Sequence, residues 1–432
     1  MVLNGLSGIT STDSLNQSFY KQLQYTGDGS QIIASNNNHT ITTYTADNNK
    51  LDEHNVIHTS NSINSYDSYP LYNTNDLLTC CIVTAVKDTP IQLIDTNDST
   101  IRATYASTSI HTDSIHTPHS VIFNSLCTNI IAGYNNTIHV YDVNQPAHPQ
   151  IHTIHTSNKS NKRKRINTDS NSISGIVSCM TTRPMDSAVL VAGTYSGQIG
   201  LYETNNNQCI QSIQLNSGVT QVKYHTQNYN YIYTAQRTNN YINLYDCRKL
   251  SSTPIISYYR NGMTNQHIEF DIDCSGKYLI TGEYNHNGTA LVYDLTRSID
   301  NEPIIQPYSV LHQLHNDVVS CIKFHPYYTR QYPYISSCSG TRHLTLPVYD
   351  TNTSSDSDTE MSTNNNQIRY DNSVKLHRLE LDYSTIGVVD IHNLQSNTLL
   401  LQHPIVYLNL VVNNTSDISI SIAWNTIDDN AV

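Results

Sequence analysis

The chain has 432 residues, 38% of them apolar, and a formal charge of −12 at pH 7. That length exceeds one ordinary domain but suits a single ring of repeated units with insertions. The acidity argues against broad, sequence-independent binding to nucleic acid, which relies on a basic surface, and leaves room for a local basic site.

In chain order, short β runs recur. Thr26-Gly27-Asp28-Gly29-Ser30 reads as a turn, Ile32-Ile33-Ala34-Ser35 as the strand behind it, and Thr42-Thr43-Tyr44 as the next. The second unit is the least regular and shows mainly Gln92-Leu93-Ile94-Asp95. The third runs Ser120-Val121-Ile122-Phe123, Asn129 to Gly133, and Thr137-Ile138-His139-Val140-Tyr141-Asp142; the fourth runs Ile176 to Met180, Ala188 to Gly193, and Ile199-Gly200-Leu201-Tyr202-Glu203. The fifth shows the grammar best: Gly218 to Tyr224 alternates as an inner strand, Tyr231 to Ala235 follows, Ile242-Asn243-Leu244-Tyr245 ends at Asp246, and Thr253 to Tyr259 supplies an outer edge. The sixth repeats it with Ile268 to Ile272, a turn at Asp273-Cys274-Ser275-Gly276, Tyr278 to Gly282, and Ala290-Leu291-Val292-Tyr293-Asp294. The seventh starts at Val318 to Pro326 and Tyr334 to Gly340, and its third strand is delayed to Asn372-Ser373-Val374-Lys375-Leu376-His377. A unit of this length cannot bury both faces of its small sheet alone, so such units stack radially. The expectation is an all-β, seven-bladed β-propeller with loop insertions.

Two low-complexity insertions interrupt it, at about residues 148–172 and 350–371. The first carries Lys159-Ser160-Asn161-Lys162-Arg163-Lys164-Arg165, a cluster suited to nuclear import or phosphate contact, or simply to a solvated loop. The second is rich in Ser, Asp and Asn and lacks core-forming residues. The domain reading is an N-terminal segment at 1–13, the propeller at 14–383, and an extension or set of closing strands at 384–432. Nine dispersed cysteines without a C-x-x-C point to a reducing compartment. The N-terminal residues show no basic-then-apolar leader, and no run approaches about eighteen apolar residues. An intracellular, soluble protein without a membrane partner is expected. Tyrosine (31) is heavily used and tryptophan (1) scarce, so Tyr-Asp stands where many propellers carry Trp-Asp.

Several stretches resemble a known family at residue level. Ile131-Ala132-Gly133-Tyr134-Asn135-Asn136-Thr137-Ile138-His139-Val140-Tyr141 is similar to C-G-F-N-R-T-V-R-V-F, Ser174-Gly175-Ile176-Val177-Ser178-Cys179 to S-G-I-I-S-C, and Thr264-Asn265-Gln266-His267-Ile268-Glu269-Phe270-Asp271-Ile272-Asp273 to T-N-Q-R-I-Y-F-D-L-D. These segments belong to the telomerase Cajal body protein family, WD40 proteins that bind box H/ACA small Cajal body RNAs and telomerase RNA. The resemblance covers roughly residues 18 to 345 plus 372 to 378. It implies a seven-bladed WD40 β-propeller acting as a non-enzymatic, monomeric RNA adaptor in the nucleus, with an H/ACA-type small nuclear RNA and telomerase or H/ACA ribonucleoprotein proteins as partners.

In a propeller, the turn between second and third strands and the connection into the next first strand share one rim. Arg237, Tyr195, Tyr284 and Arg342 fall in such turns, as do Asn135 and Glu283, and Asn265 and Gln266 fall in a connection. Position and resemblance together assign Arg237 and Arg342 to phosphate or base contacts, Asn265 and Gln266 to base edges, and Tyr195 and Tyr284 to stacking on unpaired bases. Against this stand an inter-blade salt bridge for Arg237 and plain packing for the two tyrosines. The histidines at 111, 116 and 119, and at 148, 152 and 155, lack the Cys partners or defined spacing of a structural zinc site, and no metal or cofactor is expected. His315 resembles the histidine that hydrogen-bonds within its own blade. No G-x-S-x-G, Walker loop, H-E-x-x-H or suggestive carboxylate pair occurs, so no enzyme is expected. Asp246-Cys247-Arg248 resembles the Asp-x-Arg box of substrate receptors for cullin-type ubiquitin ligases, which keeps a protein-scaffold alternative open.

Overall fold

The computed structural model describes residues 3–4, 19–47, 50–106, 116–146, 152–156, 172–184, 186–204, 206–296, 303–327, 334–341 and 371–379. All of them lie in the first of two compact units, Met1–Leu381; the second is Asp382–Val432. The basic cluster at 159–165, Arg342 and the extension from 384 fall outside the described residues.

The described residues form seven sheets set in a ring, antiparallel but for one parallel edge pair, Ile256–Tyr259 with Ile304–Ile305. The inner strands are Tyr20–Tyr25, Ile63–Ser68, Ser120–Phe123, Val177–Arg183, Val219–Tyr224, Phe270–Ile272 and Val319–Phe324, in blades one to seven. Every third strand carries one of the repeated marks: Thr40–Asp47, Ile91–Asp95, Thr137–Asp142, Gln198–Glu203, Tyr241–Asp246, Ala290–Asp294 and Val374–Leu379. The structure is the seven-bladed propeller that the period predicts.

The aromatic-acid mark does two jobs. Tyr141, Tyr202, Tyr245 and Tyr293 are buried in apolar clusters that each span two neighbouring blades. The core therefore sits between sheets, and each blade needs its neighbour. The acid ends the strand as an Asx turn: Asp95, Asp142, Asp246 and Asp294 each accept a bond from the backbone N–H two residues on, at 2.8, 2.9, 2.9 and 3.0 Å.

Inner strands obey a period of two. In Val219–Tyr224, Val222 and Tyr224 pack toward blade four while Gln221 and Lys223 face the central cavity. A turn motif then locks neighbouring blades. Gly29, with φ +72°, packs so tightly against the blade-seven His325 ring that an added Cβ would lie 2.5 Å from it. Gly276, also φ +72°, meets His225 of blade five in the same way. No L side chain fits either place without strain.

Blade seven closes the ring by pairing its own strands with residues near the N-terminus. Its fourth strand is Leu3–Asn4, paired with Leu379 and Arg378, so residues of the N-terminal segment complete the sheet. The Ser320 hydroxyl donates to Tyr20 O of blade one at 2.9 Å. His315 is fully buried within the blade, as its position suggests. Ser373 donates to Asp371 at 2.5 Å, so the His315 Nδ1–H donates to Ser373 at 2.9 Å. His315 Nε2 then accepts from Ser337 at 2.7 Å, and Ser337 accepts from His377 Nε2 at 2.8 Å. The bonds run in one direction and polarise one another, provided both imidazoles stay neutral.

Candidate nucleic-acid interface

The rim formed by the turns after each second strand and the connections into each first strand is bonded nearly all the way round. Val177 N donates to Tyr134 O, Tyr195 N to Ile176 O, Arg237 N to Gly218 O, Thr238 N to Thr264 O, Tyr284 N to Asn261 O, and Gly340 N to Val318 O, at 2.8–3.1 Å. Each of these turns is thus pinned to the connection that enters its own blade or the next, and side chains on it start from a fixed backbone. Thr238 sits at φ +47°, where only the surrounding bonds keep a β-branched residue.

Two of the expected residues meet here. The Arg237 guanidinium carbon lies 3.8 Å from the centroid of the Tyr195 ring, and Tyr195 remains 39% exposed. Among the described residues no carboxylate pairs with Arg237, and the stack on Tyr195 is the contact its guanidinium makes there. Its Nε is buried without a hydrogen-bond partner. Asn265 is exposed on the neighbouring connection. Gln266 donates through Nε2 to Gly340 O at 2.7 Å, which ties the entrance of blade six to blade seven. Tyr284 is half-buried, its carbonyl accepting from Asn261 Nδ2 at 3.0 Å and its ring 5.9 Å from that of His286. Arg342 follows Gly340-Thr341 and lies outside the described residues.

Inside the rim opens a cavity of about 610 Å³, lined by inner strands and by Tyr195 and His267 at its mouth. Its wall holds an ionic cluster that sequence reasoning missed. Lys323 pairs with Glu269 at 2.6 Å, and Lys223 pairs with Asp271. Asp271 also accepts from Phe324 N at 2.9 Å, and Asp67 from Phe123 N at 2.8 Å and Gln24 Nε2 at 2.9 Å. These side chains satisfy inner-strand edges of adjacent blades that have no further strand to pair with. Burial alone would push Glu269 up, but Lys323, His267 and the Cys321 thiol hold its carboxyl below the usual range. Asp67 lacks such a cation, and burial pushes it to about 6 against its hydrogen bonds. The signal was legible in principle: Gln24, Asp67, Lys223, Asp271 and Lys323 each stand one place before the last residue of their inner strand or its equivalent.

On the opposite rim, Arg248 is bidentate on Asp246 at 3.0 and 2.6 Å, so the Asp-x-Arg box is closed on itself. Among the described residues, no three His, Cys, Asp or Glu side chains converge as metal ligands, and no helix is long and apolar enough to cross a membrane. His111 and His148 lie outside those residues.

Fold and rim together define a seven-bladed β-propeller of the WD40 kind. No family model matches the chain. The chain is 23% identical over 288 residues to telomerase Cajal body protein 1 of Mus musculus, covering 66% of this chain and 50% of that protein. It is 24% identical over 289 residues to the Homo sapiens protein of the same name, covering 66% and 48%. To guanine nucleotide-binding protein negative regulator 1 of Schizosaccharomyces pombe it is 26% identical over 224 residues, 51% of this chain and 54% of that protein. The chain spans about half the length of the curated relatives it matches. Its resemblance to the telomerase Cajal body protein family is thus found by direct comparison as well as in its motifs.

Proposed function

We propose that this chain is a non-enzymatic RNA-binding adaptor. It recognises an unpaired loop motif of box H/ACA small nuclear RNA, telomerase RNA included, and directs the particle to a nuclear compartment of the Cajal-body kind. It acts as a monomer alongside H/ACA or telomerase ribonucleoprotein proteins, with Lys159, Lys162, Arg163, Lys164 and Arg165 serving nuclear import. The observation that carries this reading is the Tyr195–Arg237 stack: an exposed tyrosine and a guanidinium that meets no carboxylate among the described residues, on a rigid rim of an otherwise acidic chain. Unpaired bases stack on tyrosine and arginine planes, and the cation meets phosphate or the edge of guanine. Asn265 is exposed beside them for a base edge, and Tyr284 and Arg342 extend the same rim. Gln266, beside Asn265, ties blade six to blade seven through its amide.

The test is a binding titration of the purified chain against an H/ACA RNA hairpin with its terminal loop intact or replaced. Binding that needs the loop and is lost in Arg237→Glu supports the reading. Equal binding by Arg237→Glu removes Arg237 from it, and no binding by the wild type favours a protein-only scaffold.

A further inference from the structure

The rim opposite the proposed RNA face carries an apolar patch on a loop with little freedom left. Residues 69–80 join the inner strand of blade two, Ile63–Ser68, to Cys81–Val86. Within it Asn73 N donates to Thr79 Oγ1 at 2.9 Å, Asp76 N to Asn73 O at 2.9 Å, and Leu78 N to Asp76 Oδ1 at 3.1 Å. Thr74 N reaches Asp28 of blade one at 2.9 Å, and the buried Tyr72 hydroxyl meets Thr96 and Gln31 at 2.6 and 2.7 Å. Arg102, held by Asp95, donates to the carbonyls of Leu77 and Leu78 at 2.7 and 2.5 Å. All these bonds hold two leucines out in solvent. Leu77 is 65% and Leu78 82% exposed, with Ile101 at 54% beside Arg102 and Leu126 at 62% on the next turn of the same rim.

A loop bonded in this way gains nothing in folding from displaying leucines, whereas a preorganised apolar knob lowers the ordering cost of association. The surrounding charge selects the partner. Asp76 and Asp98 are exposed, and neither forms an ion pair among the described residues, while the one cation in the patch, Arg102, is consumed by Asp95. A second copy of this chain, at −12 and with the same acids, is repelled. We propose that the Leu77–Leu78 loop docks a protein partner presenting an aliphatic side chain flanked by lysine or arginine. The proposal does not depend on what occupies the other rim.

The probe is a library of random dodecapeptides displayed on phage, selected on the full chain and counter-selected on Leu77→Ser/Leu78→Ser. The expected peptides share Leu or Ile between basic residues and bind the wild type at least about tenfold tighter than that variant. Asp76→Asn/Asp98→Asn weakens them a few-fold and flattens their salt dependence. Leu78→Asp, at the more exposed position, gives the same loss should the double variant fold poorly. Recovery of no discriminating peptide, or of acid-flanked ones, overturns the proposal. So does a concentration-dependent dimer that the double variant abolishes, since the occupant is then a second copy.

Discussion

The guanidinium of Arg237, in blade five, stacks on the ring of Tyr195, in blade four, 3.8 Å from its centroid. Each residue comes from a turn whose backbone is bonded to the connection beside it, so the stack is set by the ring of blades and not by either loop alone. If it is the RNA platform, Tyr195→Ala removes the stacking face and weakens loop-RNA binding by about 1–3 kcal/mol, roughly 5- to 150-fold. Arg237→Lys keeps the charge, loses the planar contact and falls between wild type and Arg237→Glu. Melting temperatures stay close to wild type, because both side chains reach the surface. Fluorescence anisotropy on the three variants, with thermal melts alongside, checks this.

Neighbouring residues in the Thr264–Gln266 connection separate in the same assay. Gln266→Ala removes the bond to Gly340 O and costs on the order of 1 kcal/mol of stability, since a sheltered carbonyl loses its donor. Asn265→Ala leaves stability alone and lowers RNA affinity. Denaturant midpoints and RNA titrations on both variants read the two effects independently.

The ion pair in the cavity wall is expected to be needed as a pair. Lys323→Met leaves the buried carboxylate of Glu269 without its closest cation and destabilises by about 3 kcal/mol or more. Adding Glu269→Gln recovers most of that loss, because a neutral amide no longer needs a counter-charge. Chemical denaturation of the single and double variants measures the coupling.

Acidification is expected to destabilise the fold through buried histidines, His315 and His377 in blade seven and His139 in blade three. Burial holds His377 down at about 3 and His139 at about 4, and it lowers His315 against the pull of Asp371. A histidine whose folded value lies below its unfolded one binds more protons when unfolded. Stability is therefore full above the unfolded value of about 6.5 and falls with decreasing pH, by up to about 1.4 kcal/mol per pH unit per group. Asp67, raised to about 6, works in the opposite sense between its unfolded value and 6, so the histidine slope is cleanest just below 6.5. His377→Gln keeps a donor to Ser337 and is expected to flatten the slope, as measured by urea midpoints from pH 7 to 5.

Much of this architecture is legible in local sequence. The Tyr-Asp marks can be read because one residue fills an inter-blade cluster and the next closes an Asx turn, both fixed within a few positions. His315 is legible from its place just before the first strand of blade seven, although its partners Ser337 and Ser373 stand 22 and 58 residues away. What resisted reading depends on distance along the chain. Lys223 and Asp271 stand 48 residues apart, and Gln266 and Gly340 stand 74 apart, so no spacing rule joins either pair. Leu3–Asn4 is too short to show a period, yet it completes blade seven. Arg237 and Tyr195 each belong to the rim by sequence, but their contact crosses a blade boundary and is set only by the packing of blades four and five.

The most direct test of the RNA-adaptor account is crosslinking-immunoprecipitation of the tagged chain with sequencing of the bound RNA, run beside Tyr195→Ala/Arg237→Glu. The account predicts H/ACA small nuclear RNAs crosslinked at a terminal loop in the wild type and lost in the variant. RNA no higher than background in the wild type, or an unchanged profile in the variant, contradicts it.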